Sequence, residues 1–143
     1  MSPSALLQVL GRVLLSSVFL ITAVASKIPR FASTAESMAA EQIPSPRLML
    51  VGAIAFLIAG SMSLILGFKA RIGALLLLVF LVLATYFYHD FWAFQGAERE
   101  LHLVQFLANV SLAGGLLLVI AGGAGPASVD ACMARRRAEQ KPG

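Results

Sequence analysis

The stretch LMLVGAIAFLIAGSMSLILGF, Leu48 to Phe68, holds 21 residues without a single charge. A helix needs about 20 apolar residues to cross a bilayer core of roughly 30 Å, and this segment meets that length. A second uncharged run, IGALLLLVFLVLATYFY from Ile72 to Tyr88, begins after three intervening residues. Two spans joined so closely must run antiparallel, so Gly67-Phe68-Lys69-Ala70-Arg71 reads as a tight hairpin between them. The pattern extends both ways. Leu103 to Gly125 gives a further uncharged run of 23 residues, and Ala5 to Ser26 gives another, interrupted by Arg12. Without the residues before Arg12 that first segment is only Val13 to Ser26, too short to span, so Arg12 is expected inside the helix near one end.

The composition agrees. Of 143 residues, 59% are hydrophobic and 13% charged, with a mean hydropathy of +0.86. Soluble domains carry about 25% charged residues, so this chain cannot dress a water-facing surface. An ordinary soluble enzyme, a disordered tail and a fibrous repeat are excluded. The expected fold is an all-α membrane protein, a four-helix transmembrane bundle. A rival reading takes the first segment as a cleaved signal peptide with Ala23-Val24-Ala25 as an A-x-A site. Its n-region would be long and otherwise uncharged, and Lys27 and Pro29 follow at once, so retention is expected.

Loop charge sets the orientation. With four spans, both termini and the hairpin share one side. That side holds Lys69, Arg71 and the tail cations Arg135, Arg136, Arg137 and Lys141; the other holds Lys27, Arg30, Arg47 and Arg99. The bias favours both termini in the cytoplasm. A basic tail after a hydrophobic segment marks a cytoplasmic end. No aromatic or Gly-rich basic surface accompanies it, so nucleic acid is not an expected partner. The expected division is a four-helix domain over residues 1–131 and a basic tail over 132–143. Within the first outer loop, Ser33-Thr34-Ala35-Glu36 fits a capping box ahead of Ser37-Met38-Ala39-Ala40. Phe31, Ala35, Met38 and Ala39 share one helical face, so a short interfacial helix is expected there, ended by Pro44 and Pro46.

Polar groups inside the spans each need a reason. Arg12 either snorkels to the interface or meets a lipid head group, a quinone carbonyl or a carboxylate. Asn109 cannot hydrogen-bond lipid, so it should face the bundle, joining helices or lining a site. His89 and Asp90 end the third span beside an interfacial belt of Tyr86, Phe87, Tyr88, Phe91, Trp92 and Phe94. His89 and His102 could hold a haem or a metal between two helix ends, but no further ligand supports this, and no metal site is expected. The row Ala55, Ala59, Ser63 and Gly67 at i+4 spacing reads as helix packing, within the bundle or between protomers of a homo-oligomer. Cys132 is the single cysteine, so any redox chemistry must be borrowed from a cofactor or partner. There is no P-loop, no HExxH and no nucleophile elbow.

Several of these stretches, taken together, resemble the DoxX family of small four-helix membrane proteins. Gly11-Arg12, Phe19 and Lys27 are similar to the family's Arg…Phe…Lys opening. Met38-Ala39-Ala40 with Ile43-Pro44 is similar to its interfacial helix and proline exit, and Gly60 through Arg71 to its second helix and hairpin. His89-Asp90-Phe91-Trp92 resembles the H-[DN]-F-W box, and Phe106-Leu107-Ala108-Asn109 through Gly114-Gly115-Leu116 the fourth helix. The likeness covers residues 9–131. One position departs: where many relatives carry a glutamate in the second helix, this chain has Phe56, so a partner charge for Arg12 is expected to be lost.

The resemblance implies a multi-pass protein of the bacterial inner membrane. Some members of the family take part in redox work, as a subunit of a thiosulfate:quinone oxidoreductase or beside superoxide dismutase and a sulfurtransferase in an oxidative-stress complex. The expected function is therefore an accessory, quinone-interacting subunit of such an assembly rather than a stand-alone enzyme, with redox-protein partners. Its candidate cofactor-binding residues are His89, Asp90, Phe91, Trp92, Asn109 and Arg12. A quinone would stack on Trp92 and Phe91 and accept a hydrogen bond from His89 or Asn109. The alternative is a structural or interaction protein without small-molecule chemistry. A transporter is disfavoured by the scarcity of buried ionisable residues.

Overall fold

In the computed structural model, which describes residues 2–88 and 91–140, the chain is helical throughout its ordered elements. Helix α1 runs Pro3–Ile21 and continues into a π-helical turn, Thr22–Lys27. Helix α2 is Phe31–Ala40, α3 Pro46–Leu66, α4 Ala70–Tyr88, α5 Gly96–Gly122 and α6 Val129–Glu139. A 3₁₀ turn, Phe91–Ala93, precedes α5. Four of the helices are long and apolar enough to cross a membrane. They form an up-down ring in which α3 packs between α1 and α4, and α5 closes it against α4 and α1. The core holds Phe19, Ala23, Leu57, Leu64, Ala74, Leu77, Leu81 and Leu116, so every span contributes to it. The outward faces stay apolar, as lipid-facing surfaces do: Leu14, Ile72, Val82 and Leu118 are all exposed.

Element ends follow local chemistry. Ser2 caps α1 by accepting from the Ala5 amide at 3.2 Å, with Pro3 in the first turn. Gly67 ends α3 in the left-handed region at φ +65°; its amide donates to the Leu64 carbonyl at 3.1 Å and the Phe68 amide to that of Ser63 at 3.0 Å. This pair of bonds is a Schellman closure, which a residue with Cβ adopts only under strain. It turns the chain straight into α4, so the hairpin forms as read.

Two element starts differ from the sequence reading. The interfacial helix α2 exists and packs Ala35 and Met38 on Leu50, but it starts at Phe31, and no side chain caps it. Ser33 lies inside the first turn and donates back to the Arg30 carbonyl at 3.1 Å. A serine hydroxyl there serves a carbonyl, so the capping box does not form. Helix α5 begins at Gly96, seven residues before the uncharged run. Its first turns carry Glu98, Arg99 and Glu100 into water, where charge does not oppose a helix. The basic tail is itself helical. Ser128 caps α6, accepting from the Ala131 amide at 3.1 Å, and the helix crosses positions 131 and 132.

Gly60 and Gly73 set the close approach of α3 to α4. A Cβ on Gly60 would come within 2.7 Å of the Leu77 Cγ and 3.0 Å of the Gly73 carbonyl, and one on Gly73 would meet Ser63. Of the small-residue row, Ser63 serves this contact, while Ala55 and Ala59 face outward.

Candidate functional site

The polar groups of the membrane-spanning helices gather at two levels. At the hairpin end, Arg12 is only 4% exposed, so it does not snorkel into water. Its Nη2 donates to the Ala127 carbonyl at 2.7 Å, and Nε and Nη1 are buried without a partner among the described residues. Gly67 lies against Nη1 and would clash with it if it had a Cβ. The loop after α5 folds back to make this contact possible. Its Asp130 amide donates to the Gly67 carbonyl at 3.0 Å. The Asp130 carboxylate accepts from the Lys69 amide at 2.8 Å and the Ala70 amide at 3.2 Å, capping α4 from a distant part of the chain. Asp130 is also the opposite charge acting on Arg12. Arg71 adds a further tie, donating to the Ala121 carbonyl at 3.2 Å. Arg12 is therefore a clasp between α1, the hairpin and the tail, and it stands apart from the other candidate residues.

The lost carboxylate at position 56 is not the missing partner of Arg12. Phe56 lies eleven residues before Gly67, about 16 Å along a helix. It lines a cavity shared with Lys27, so a carboxylate there would face Lys27 instead.

At the α2 end, the aromatic residues assemble around α5. The Phe91 ring centroid lies 5.2 Å from that of Trp92 and 5.2 Å from that of Phe106, each edge to face. Trp92 and Phe106 are 6.5 Å apart. These are favourable aromatic distances. The Arg99 guanidinium sits 5.8 Å over the Phe91 ring, and Phe94 stacks on His102 at 4.0 Å. Trp92, Phe106, Thr85 and Asn109 line a cleft of about 280 Å³ between α4 and α5. Asn109 is buried and faces the bundle, as required of an amide in a span. Its Nδ2 donates to Thr85 Oγ1 at 2.8 Å, and its Oδ1 accepts from Gln105 Nε2 at 3.4 Å. Thr85 in turn donates to the Leu81 carbonyl at 2.7 Å. This chain of bonds joins α4 to α5 and fixes the amide's direction.

Of the candidate residues, Trp92 and Asn109 thus share one cleft, and Phe91 braces Trp92 from beside it. His89 and Asp90 lie outside the described residues. No group of three metal-ligating side chains occurs among the described residues. Sequence reasoning overlooked Phe106 as a wall of the cleft and Thr85 and Gln105 as its polar network. The signal was present, since Thr85 and Gln105 are polar residues inside apolar runs and fall under the same rule as Asn109.

A ring of four apolar spans defines a multi-pass helical membrane protein. Its family is specific: residues 7–90 match DoxX, and the chain belongs to the DoxX family. It is similar to the inner membrane protein YqjF of Escherichia coli K12, 31% identical over 120 residues that cover 84% of this chain and 86% of that one. It is also similar to the inner membrane protein YphA of the same organism, 29% identical over 104 residues, 73% of this chain and 74% of the other. A shorter likeness, 32% identical over 73 residues, links half of this chain (51%) to 24% of the ER-derived vesicles protein ERV29 of Saccharomyces cerevisiae. The comparison with solved structures gives no significant match. The inner-membrane relatives and the four spans together make this a multi-pass inner-membrane protein.

Proposed function

We propose that the protein is an accessory membrane subunit of a redox or oxidative-stress assembly and holds a quinone head group in the cleft between α4 and α5. The observation that carries this reading is the meeting of Trp92, Phe106 and Asn109 in one cleft. A quinone needs a flat aromatic contact and a donor for its carbonyl. Trp92 and Phe106 supply the first. Asn109 supplies the second, because its amide nitrogen has two hydrogens and Thr85 takes one. The exposed Val82 and Val110 at the rim leave the cleft open toward hydrocarbon, where an isoprenoid tail would lie. The redox role of some members of the DoxX family supports the same reading. The cation bias of the hairpin end supports a reading in which both termini lie in the cytoplasm and the quinone cleft at the outer interface. A reporter active only in the cytoplasm should therefore function when fused after Gly143 and fail when inserted after Glu41.

The test is the quinone content of the full chain purified in mild detergent, measured by solvent extraction and mass spectrometry. Near-stoichiometric quinone, lost in Trp92→Ala, is expected. A content no higher than that of an unrelated membrane protein prepared alongside would overturn the proposal. It would favour the second reading, a structural protein, for which the outward Ala55 and Ala59 offer a close-packing face. Ala55→Leu, at an exposed position of α3, should then disrupt self-association on a sizing column.

A further inference from the structure

Lys27 stands where two cavities meet, neither of them the cleft just described. The first, of about 250 Å³, lies between α3 and α4 and is walled by Phe56, Phe80, Leu83 and Phe87. Leu48, Met49, Phe56 and Leu83 around it are exposed, so it opens sideways onto the hydrocarbon of the bilayer. The second, of about 470 Å³, lies among α1, α2, α4 and α5. It is rich in hydroxyl and amide groups, among them Thr22, Ser26, Ser33, Ser37 and Gln105, and Arg30 stands at its exposed side. Lys27, Phe80, Ala84 and Tyr88 line both cavities. An apolar slot and a polar chamber therefore share a wall that carries an ammonium and a phenol. Ligand sites commonly measure about 300–1,000 Å³, and the pair falls in that range.

The charge in this wall is one-sided. Among the described residues, Lys27 and Arg30 are the charged residues lining the two cavities, and no carboxylate lines either one. Neither side chain makes a hydrogen bond or ion pair among the described residues. The Tyr88 hydroxyl is buried with no partner among the described residues. The π-turn at the end of α1 places Lys27 here, and such turns recur at functional positions. A cation and a hydroxyl held in an apolar wall cost free energy unless something pairs with them. Glu41, the acidic group that acts on Tyr88, lies outside the lining, so an anion entering the cavities meets Lys27 with no lining carboxylate among the described residues to displace.

We propose that the two cavities form a binding site for an amphiphile with an anionic head and one apolar chain. The head, a carboxylate or a phosphate, pairs with Lys27 and accepts from the Tyr88 hydroxyl. Arg30, nearer water, draws it in. The chain lies in the slot between α3 and α4, which it enters from the bilayer. The polar chamber touches the quinone cleft at Leu81 and Asn109, which line both, but Lys27, Tyr88 and the apolar slot lie outside that cleft, and the proposal does not depend on quinone binding.

Native mass spectrometry of the full chain in a neutral maltoside detergent tests this, with three probes that share one oleyl chain: oleate, oleoyl-lysophosphatidylglycerol and oleyl alcohol. The wild type should hold one anionic probe per chain about tenfold more tightly than the alcohol. Preference for oleate alone would identify a free fatty acid as the ligand. Preference for the lysolipid alone would identify a phospholipid, and either supports the site. Lys27→Gln should abolish the preference while Lys27→Arg keeps it. Leu83→Trp, which fills the slot and leaves both cations in place, should weaken all three probes. If the alcohol binds as well as both anions, or if Lys27→Gln keeps the full preference, the proposal is overturned. Should Lys27→Gln lose its helical spectrum, Arg30→Gln at an exposed position takes its place. A severalfold loss of preference is then expected, and no loss overturns the proposal.

Discussion

Arg12 shows how one residue can organise one end of a membrane bundle. An arginine among apolar helices is costly, and here a backbone carbonyl binds it, a glycine lies close against it, and a carboxylate sixty residues past the hairpin acts on it from beyond ion-pair distance. Removing that carboxylate should loosen the whole end. Asp130→Ala deletes the acceptor for two helix-start amides, a loss of about 1–2 kcal/mol for a cap, and strips Arg12 of its countercharge. Its thermal midpoint in detergent should fall, and trypsin should cut sooner at Arg135, Arg136 and Arg137. Wild-type melting and cleavage would count against the clasp. Gly67→Ala should cost about 1–3 kcal/mol, since alanine is strained at positive φ and its Cβ meets Arg12 and Ser128. Gly52→Ala, with nothing within 4 Å of the new methyl, should leave the melting temperature unchanged or slightly raised. Equal effects at the two glycines would show that the hairpin geometry is wrong.

Among the elements, the contact of α3 with α4 is the tightest, because glycines face each other across it. Gly73→Ala drives a methyl into Ser63 and toward the Gly60 carbonyl, and overpacking of this kind costs about 1–3 kcal/mol. Gly114→Ala, which meets nothing within 4 Å, should gain a few tenths of that through helix propensity. Thermal unfolding of the two variants side by side checks the contrast. The spans themselves were legible in the sequence, because hydrocarbon demands long uncharged runs and little else in a chain produces them. Their wet ends were not. Glu98, Arg99 and Glu100 break the apolar run of α5 without breaking the helix, and the Ser33 hydroxyl turned to a carbonyl that the sequence could not show as free. Asn109 was found by the cost of burying an amide, and Trp92 by its place in the aromatic belt. The cavities around Lys27 were hidden, since they depend on a π-turn and on the docking of α2. The clasp of Asp130 was hidden too, since the polar loop after α5 gives no sign of which surface it folds onto.

Over the whole molecule, the two ends of the bundle differ in kind. The hairpin end is closed by backbone hydrogen bonds and a buried arginine, and it holds the helices together. The α2 end is open, with an aromatic cleft and two cavities around unpaired polar groups. Function is expected at the open end, because a site needs space and polar groups that the fold has not already used. The central claim is that the cleft of Trp92, Phe106 and Asn109 takes a quinone ring. Trp92 is the single tryptophan of the chain, so its fluorescence reports on that cleft directly. The decisive measurement is a titration of the full chain in detergent with a short-chain ubiquinone analogue, following Trp92 emission. The account predicts saturable quenching at about one quinone per chain, weakened about tenfold or more in Asn109→Leu, which removes the carbonyl donor. Quenching that rises linearly without saturation, alike in wild type and Asn109→Leu, would contradict it.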